Sequence, residues 1–353
     1  MIKSMLEERV LQPIGDFNAS DWDKVRKEYI EVLCREEYGM PLPEPTKLEF
    51  EVVGSNKRFA ANTAVNSNII AHTEILGTSF SFPFTALIPK GKGKYPFFVH
   101  IDFESGVPNK YYPAEEIVNN GFAAFHFNFN DVTIDKNDMT DKLSGILFPD
   151  GKREGSESGK IIMWAWAAMR IMDYAMTLDC LDFDNAAVIG HSRLGKTSLV
   201  TGMLDTRFKY VISNDSGCSG ASITRNKNGE HIEFITKTFP YWFCENYKNY
   251  VDESKLTFDQ HMLLATIAPR VLIVGSAAED EWADPDAEFL GCVAASKAWE
   301  NLGIDGFIHP DRLPTPESVF DSGNICYQIR NNGHYLSRRD WNVYFDIIKK
   351  KMK

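Results

Sequence analysis

A chain of 353 residues with 44% hydrophobic content can bury a large core, either as one α/β domain or as two. Its formal net charge of −11, without any lysine or arginine run, argues against nucleic acid or an anionic membrane surface as a partner. No apolar run approaches the roughly 18 residues of a membrane span, and the six cysteines lie far apart with no C-x-x-C and no zinc-ligand spacing.

The N-terminal stretch MIKSMLEERVLQPIGDF lacks the apolar segment of a secretory signal, so a cytoplasmic protein with reduced thiols is expected. Residues 20–37 read as a helix. Ser20 or Asp21 can cap it, and Trp22, Val25, Tyr29, Val32 and Leu33 recur at helical spacing. GMPLPEP ends that element. Residues 47–90 then alternate as strands in LEFEVV, NIIAHTEI and FPFTALIP, an antiparallel lead-in to a sheet. From residue 95 the pattern becomes PFFVHI, FAAFHFNF, NAAVIG, YVIS, RVLIVGS and CYQIR, mostly separated by helical segments. Such alternation predicts a mostly parallel sheet with helices on both faces. Residues 305–323, rich in Pro and Asp, read as a long surface loop. The chain reads as one domain over residues 1–353, with a helical N-terminal extension over 1–46 and a catalytic core over 47–353.

The stretch AAVIGHSRLGKTSLV carries two incompatible motifs. Gly190, Gly195, Lys196 and Thr197 satisfy G-x-x-x-x-G-K-[ST], the phosphate-cradling loop of nucleotide hydrolases. Gly190 and Ser192 begin a G-x-S elbow, where a strand turns into a helix and exposes a nucleophilic serine. A phosphate loop needs a magnesium-binding carboxylate at the end of a second apolar strand. Gly275 follows RVLIV instead, and the bulky residues His191, Arg193 and Leu194 stand where backbone would wrap a phosphate.

The elbow finds its partners in the order serine, acid, histidine. Ser192 is the expected nucleophile and His334, in the loop after CYQIR, the expected base. The acid is Asp280, after RVLIVGS, with Asp215 as the alternative and Glu281 a further neighbour. The backbone N–H of Arg193 should serve the oxyanion, with a second donor from the loop near Asp102 or Phe103. His261, His100, His126 and His191 read as packed histidines.

The usual elbow is G-x-S-x-G, but position 194 is Leu and the second glycine falls at 195. The G-x-S-R-x-G-K form, with SGKIIMWAWAAMRIMDY before it and SNDSGCSGASITR, FPYWF, DQHMLLATIAPR, SAAEDEWADPDAEF and GHYLSRRDW after it, resembles the glucuronoyl esterase family of carbohydrate esterases and its bacterial relatives. The resemblance covers roughly residues 95–345. It implies an α/β-hydrolase fold. It also implies that the Arg193 side chain serves the oxyanion, that Lys196 and Trp282 contact the sugar, and that Asp215 stands where many members carry Glu. Glu245, in WFCENY, is a further candidate carboxylate for the sugar.

The expected function is therefore a serine carboxylic-ester hydrolase acting on a small carbohydrate ester, with no metal or organic cofactor. Two esters stay open: a uronic acid ester of glucuronoxylan, and an acetyl group on a xylo- or manno-oligosaccharide. Two other classes compete, a nucleotide hydrolase using residues 190–197 and a catalytically silent hydrolase-fold binding protein.

Overall fold

In the computed structural model, which describes residues 1–352, ten strands form a single sheet. They are β1 (Lys47–Arg58), β2 (Ala64–Ile75), β3 (Thr78–Pro89), β4 (Tyr95–Asp102), β5 (Ala123–Asn128), β6 (Leu181–His191), β7 (Tyr210–Asn214), β8 (Val271–Ala277), β9 (Val319–Phe320) and β10 (Ile325–Arg330). Their spatial order is β1-β2-β3-β5-β4-β6-β7-β8-β10-β9. The first three strands are antiparallel, and β5, β4, β6, β7, β8 and β10 run parallel. The antiparallel lead-in and the parallel body are both as expected.

The parallel strands are buried on both faces, so they read as continuous apolar runs rather than alternating ones. Alternation reappears in the packing. Phe97, Val99, Ala186 and Val188 join the core on one face, and Phe98, Ala187 and Ile189 the core on the other. The first face is covered by helix Lys160–Ala175, whose Trp164 is fully buried, and the second by helix Arg338–Lys351 through Trp341, Phe345 and Ile348. Truncating a fully buried tryptophan such as Trp164 costs about 3–5 kcal/mol.

Two elements differ from expectation. The helix expected over 20–37 runs Trp22–Leu33, after a short helix Ile2–Glu7, and continues as a π turn over Cys34–Tyr38, but the Asp21 side chain makes no capping bond. Residues 305–323 are mostly loop, yet they also contribute β9, which pairs antiparallel with β10 at the sheet edge. Two residues are too few to display a strand period.

The first 46 residues pack tightly on the rest. Trp22 Nε1 donates to Ala268 O at 3.1 Å, and Tyr38 OH to Ser219 O at 2.9 Å. Glu37, fully buried, accepts Gln260 Nε2 on both carboxylate oxygens at 3.0 Å. All six cysteines are free thiols, five of them buried.

Candidate active site

Strand β6 ends at His191, and helix Arg193–Leu204 begins immediately after Ser192. Ser192 therefore carries the whole turn, at φ 59° and ψ −128°. A non-glycine residue at positive φ is strained, and such strain concentrates at functional sites. Two glycines make the turn possible. A Cβ at Gly190 would lie 2.0 Å from Leu194 O, and one at Gly195 would lie 3.0 Å from Asn214 O on β7. Position 195, not 194, is where the helix passes over the neighbouring strand, which explains the displaced second glycine.

The phosphate-loop alternative fails on these bonds. The N–H groups of Gly195 and Lys196 close the first helical turn on Ser192 O, at 2.8 and 3.1 Å. Lys196 Nζ is buried and donates to Ser216 O at 2.6 Å, and Thr197 Oγ1 donates to Arg193 O. A cradle needs those donors free.

Ser192, Arg193, Lys196, Asp280, Trp282 and His334 line one cavity of about 390 Å³. His334 Nδ1 is 2.6 Å from Asp280 Oδ2, which leaves Nε2 as the second ring nitrogen. Asp280 is buried, while the His334 side chain is half exposed. Glu281 lies outside this cavity, in a neighbouring acidic one with Asp284 and Asp286.

Asp215, at the end of the neighbouring strand β7, is fully buried and lines the same cavity. Its Oδ2 accepts Arg330 Nη2 at 3.3 Å and Tyr335 N at 3.4 Å. Burial first, then Glu288, pushes its carboxyl well above the usual range, against the opposing pull of Arg330. His191 packs as expected: it is buried, pairs through Nδ1 with Asn214 Oδ1 at 2.8 Å and lies 4.4 Å, ring to ring, from His334. Burial and then the His334 charge hold its pKa well below the ordinary value.

Arg193 presents a backbone N–H at the first position of its helix, where no intrahelical acceptor exists. Its guanidinium pairs with Asp135 and lies 4.8 Å above the Trp242 ring. In the loop expected to supply the second oxyanion donor, one N–H is already engaged. Phe103 N donates to Asp102 Oδ1 at 2.6 Å, so this N–H is already committed to the carboxylate that shapes the loop.

Lys196 and Trp282 both line the cavity. Burial lowers the Lys196 pKa, with Glu230 pulling the other way. Trp282 is 50% exposed and packs edge to face on Phe234 at 5.0 Å. Glu245 is not among the lining residues; it pairs with Arg153 and Lys248 instead. Besides Asp280 and Asp215, the cavity is lined by a third carboxylate, Glu230.

Glu230, Asp135, Trp242 and Phe239 went unassigned in the sequence. Asp135 sits in an acid-rich loop where no spacing singles it out, whereas FPYWF, which carries Trp242 and Phe239, is an aromatic run that could have flagged a wall. Folding also gathers two histidine–carboxylate sets of metal-ligand type, His100–Asp102–His126 and His191–Asp215–His334. Both are knitted by hydrogen bonds: Asp102 Oδ2 accepts from the Asn109 amide at 2.7 Å and pairs with His126 Nε2 at 2.9 Å.

The sheet order and a serine held on a strand–helix turn define an α/β hydrolase. Comparison with known proteins narrows the class. The family model "Glucuronyl esterase, fungi" matches residues 72–303, and the chain belongs to the glucuronoyl esterase family. It is 37% identical over 254 residues to "Carbohydrate esterase MZ0003" from an unknown prokaryotic organism, covering 71% of this chain and 58% of that one. It is 28% identical over 305 residues to the 4-O-methyl-glucuronoyl methylesterase of Podospora anserina, covering 82% of this chain and 58% of that one. The chain thus spans somewhat over half the length of both relatives. The solved glucuronoyl esterase from Solibacter usitatus superposes with a TM-score of 0.87 at 29% identity, over 97% of this chain and 95% of that one.

Proposed function

We propose that the protein is a serine carboxylic-ester hydrolase that cleaves glucuronoyl esters. The observation that carries this reading is the His334–Asp280 hydrogen bond, set in the same cavity as Ser192 on its strained turn. Nucleophile, base and orienting acid within one cavity are what acyl transfer requires.

In this reading the Ser192 hydroxyl attacks the ester carbonyl while His334 takes its proton. Asp280 holds the imidazole tautomer and stabilises the imidazolium. The tetrahedral oxyanion is met by the Arg193 backbone N–H and guanidinium, a stabilisation present only as charge develops. The C–O bond then breaks, and His334 returns its proton to the leaving alcohol. Water, deprotonated by His334, attacks the acyl-enzyme and releases the uronic acid and Ser192. Lys196, Glu230 and Trp282 hold the sugar: a donor, an acceptor and an aromatic face suit hydroxyls and a pyranose ring.

The uronate reading draws support from the family and from the names of the relatives. A panel of benzyl glucuronate ester, acetylated xylo-oligosaccharides and p-nitrophenyl acetate tests it. The glucuronate ester should give the highest kcat/KM. Preference for the acetylated oligosaccharide would move the substrate to acetyl esters, and no turnover of any ester would return the silent binding protein.

A further inference from the structure

Arg193 is held more elaborately than a solvent-facing arginine needs. One end of its fork, Nη1, is ion-paired with Asp135 Oδ2, while its buried Nε has no hydrogen-bond partner. Besides Trp242, its guanidinium lies within 5.6 Å of the Phe239 ring centre and 5.7 Å of Phe103. Asp135 is fixed in turn. Its Oδ1 accepts Trp242 Nε1 at 2.7 Å and Tyr241 OH at 3.1 Å. Its backbone N–H donates to Asn130 Oδ1 at 2.8 Å. The loop around it is pinned by buried Lys160, which donates to Ile134 O and Asp138 O at 2.6 Å and to Asp141 Oδ2 at 2.9 Å. A carboxylate so constrained fixes both the position of the arginine and its charge.

The charge matters because of the reaction. A neutral ester enters and an anionic carboxylate leaves, and the oxyanion exists only between them. An unpaired arginine beside the acyl carbon would bind the product carboxylate more tightly than the ester, and product would block the next turnover. An arginine already paired to a fixed carboxylate still offers aligned N–H dipoles to the oxyanion, but the pair carries no net charge with which to retain an anion. Lys196 faces the same problem and shares the cavity with Glu230.

We infer that Asp135 is a positioning residue for Arg193 and its charge partner, letting the arginine stabilise the oxyanion without trapping the uronate product. This rests on the hydrolase reading above. Asp135→Asn keeps the shape and removes the charge. With benzyl glucuronate ester as substrate, it should lower kcat about tenfold or more and tighten inhibition by free glucuronate severalfold, while inhibition by neutral methyl glucoside stays unchanged. In an Arg193→Ala background the same substitution should add nothing to either effect, and Asp135→Glu should restore weak product inhibition. Unchanged or weaker glucuronate inhibition in Asp135→Asn, or a full penalty without Arg193, overturns the inference. Should Asp135→Asn not fold, Arg193→Ala decides alone: glucuronate inhibition should then change by less than about threefold, and a loss above about tenfold would mean the arginine holds product as a free cation. Ser192→Ala separates the two levels. Full turnover in that variant removes the hydrolase reading itself, whereas an inactive Ser192→Ala with unmoved product inhibition in Asp135→Asn removes only the inference.

Discussion

The Nδ1 atom of His334 lies 2.6 Å from Asp280 Oδ2, while Asp215, the competing carboxylate, directs its Oδ2 toward Arg330 and the Tyr335 N–H. The two acids thus have different hydrogen-bond partners. Asp280→Asn should lower kcat by about 10⁴, because the imidazole loses the partner that fixes its tautomer. Asp215→Asn should cost about tenfold in kcat with little change in thermal stability, since Arg330 keeps buried Asp340 as its counter-charge through the 2.9 Å bond from Nε to Oδ2. Measured kcat values in the reverse order would reassign the acid.

Ser192→Ala should reduce ester hydrolysis by about 10³-fold or more, with the thermal midpoint almost unchanged, because alanine at φ 59° carries the same strain. Ser192→Gly should be equally inactive yet more stable, by about 1–2 kcal/mol, as glycine tolerates that backbone. Calorimetry of the three proteins checks both statements. A glycine variant no more stable than the serine enzyme would mean that the turn is not strained.

Arg193 and Lys196 should separate kinetically. Arg193→Ala should lower kcat more than it raises KM, since the charge it meets exists only in the transition state. Lys196→Ala should impair the glucuronate ester but spare p-nitrophenyl acetate, which has no sugar to hold. Equal losses on both substrates would place Lys196 in the fold of the elbow rather than in substrate binding.

Glu37 gives the fold a pH dependence of its own. Burial pushes its carboxyl up to about 7 from 4.5, against the lowering by its bond from Gln260. Below about pH 4.5 the group is protonated in both folded and unfolded chains. Between there and pH 7 only the unfolded chain gives up the proton, so stability falls as pH rises across that window. Glu37→Gln should remove this slope. Relative to the parent it should gain stability from pH 4.5 to 8, by on the order of 2–3 kcal/mol. Buried Glu288, also raised to about 7, leaves a residual slope in the same direction. Denaturant melts of both proteins at the two pH values decide it; a constant difference would show that Glu37 is ionised in the fold.

The parts of this molecule legible in its sequence are those set by local chemistry. Apolar runs such as Val271–Ala277 announce buried strands, and a G-x-S turn between a strand and a helix announces an exposed serine. The order serine, acid, histidine follows from topology, because parallel strands deliver their C-terminal loops to one edge, but Asp215 and Asp280 both sit at that edge and only side-chain length favoured Asp280. What stayed hidden depends on convergence across long separations. Asp135 meets Arg193 58 residues away and Trp242 107 residues away, through contacts with no local period. Glu245 drew attention as an acid in an aromatic run, but nearby basic groups claim it, and Glu230 lines the cavity instead. The loop near Asp102 and Phe103 was expected to supply a second oxyanion donor, and in the fold the Phe103 N–H is taken by the Asp102 carboxylate, a contact no spacing announces.

Six of the seven tryptophans are at most 5% exposed, and Trp282, at the cavity, is 50% exposed. The protein thus carries a built-in optical reporter. Long-wavelength indole emission should come almost wholly from Trp282, and aqueous iodide should quench that component selectively. A sugar stacked on the ring would shield it, so occupancy of the cavity becomes readable by titration, without labels and without turnover.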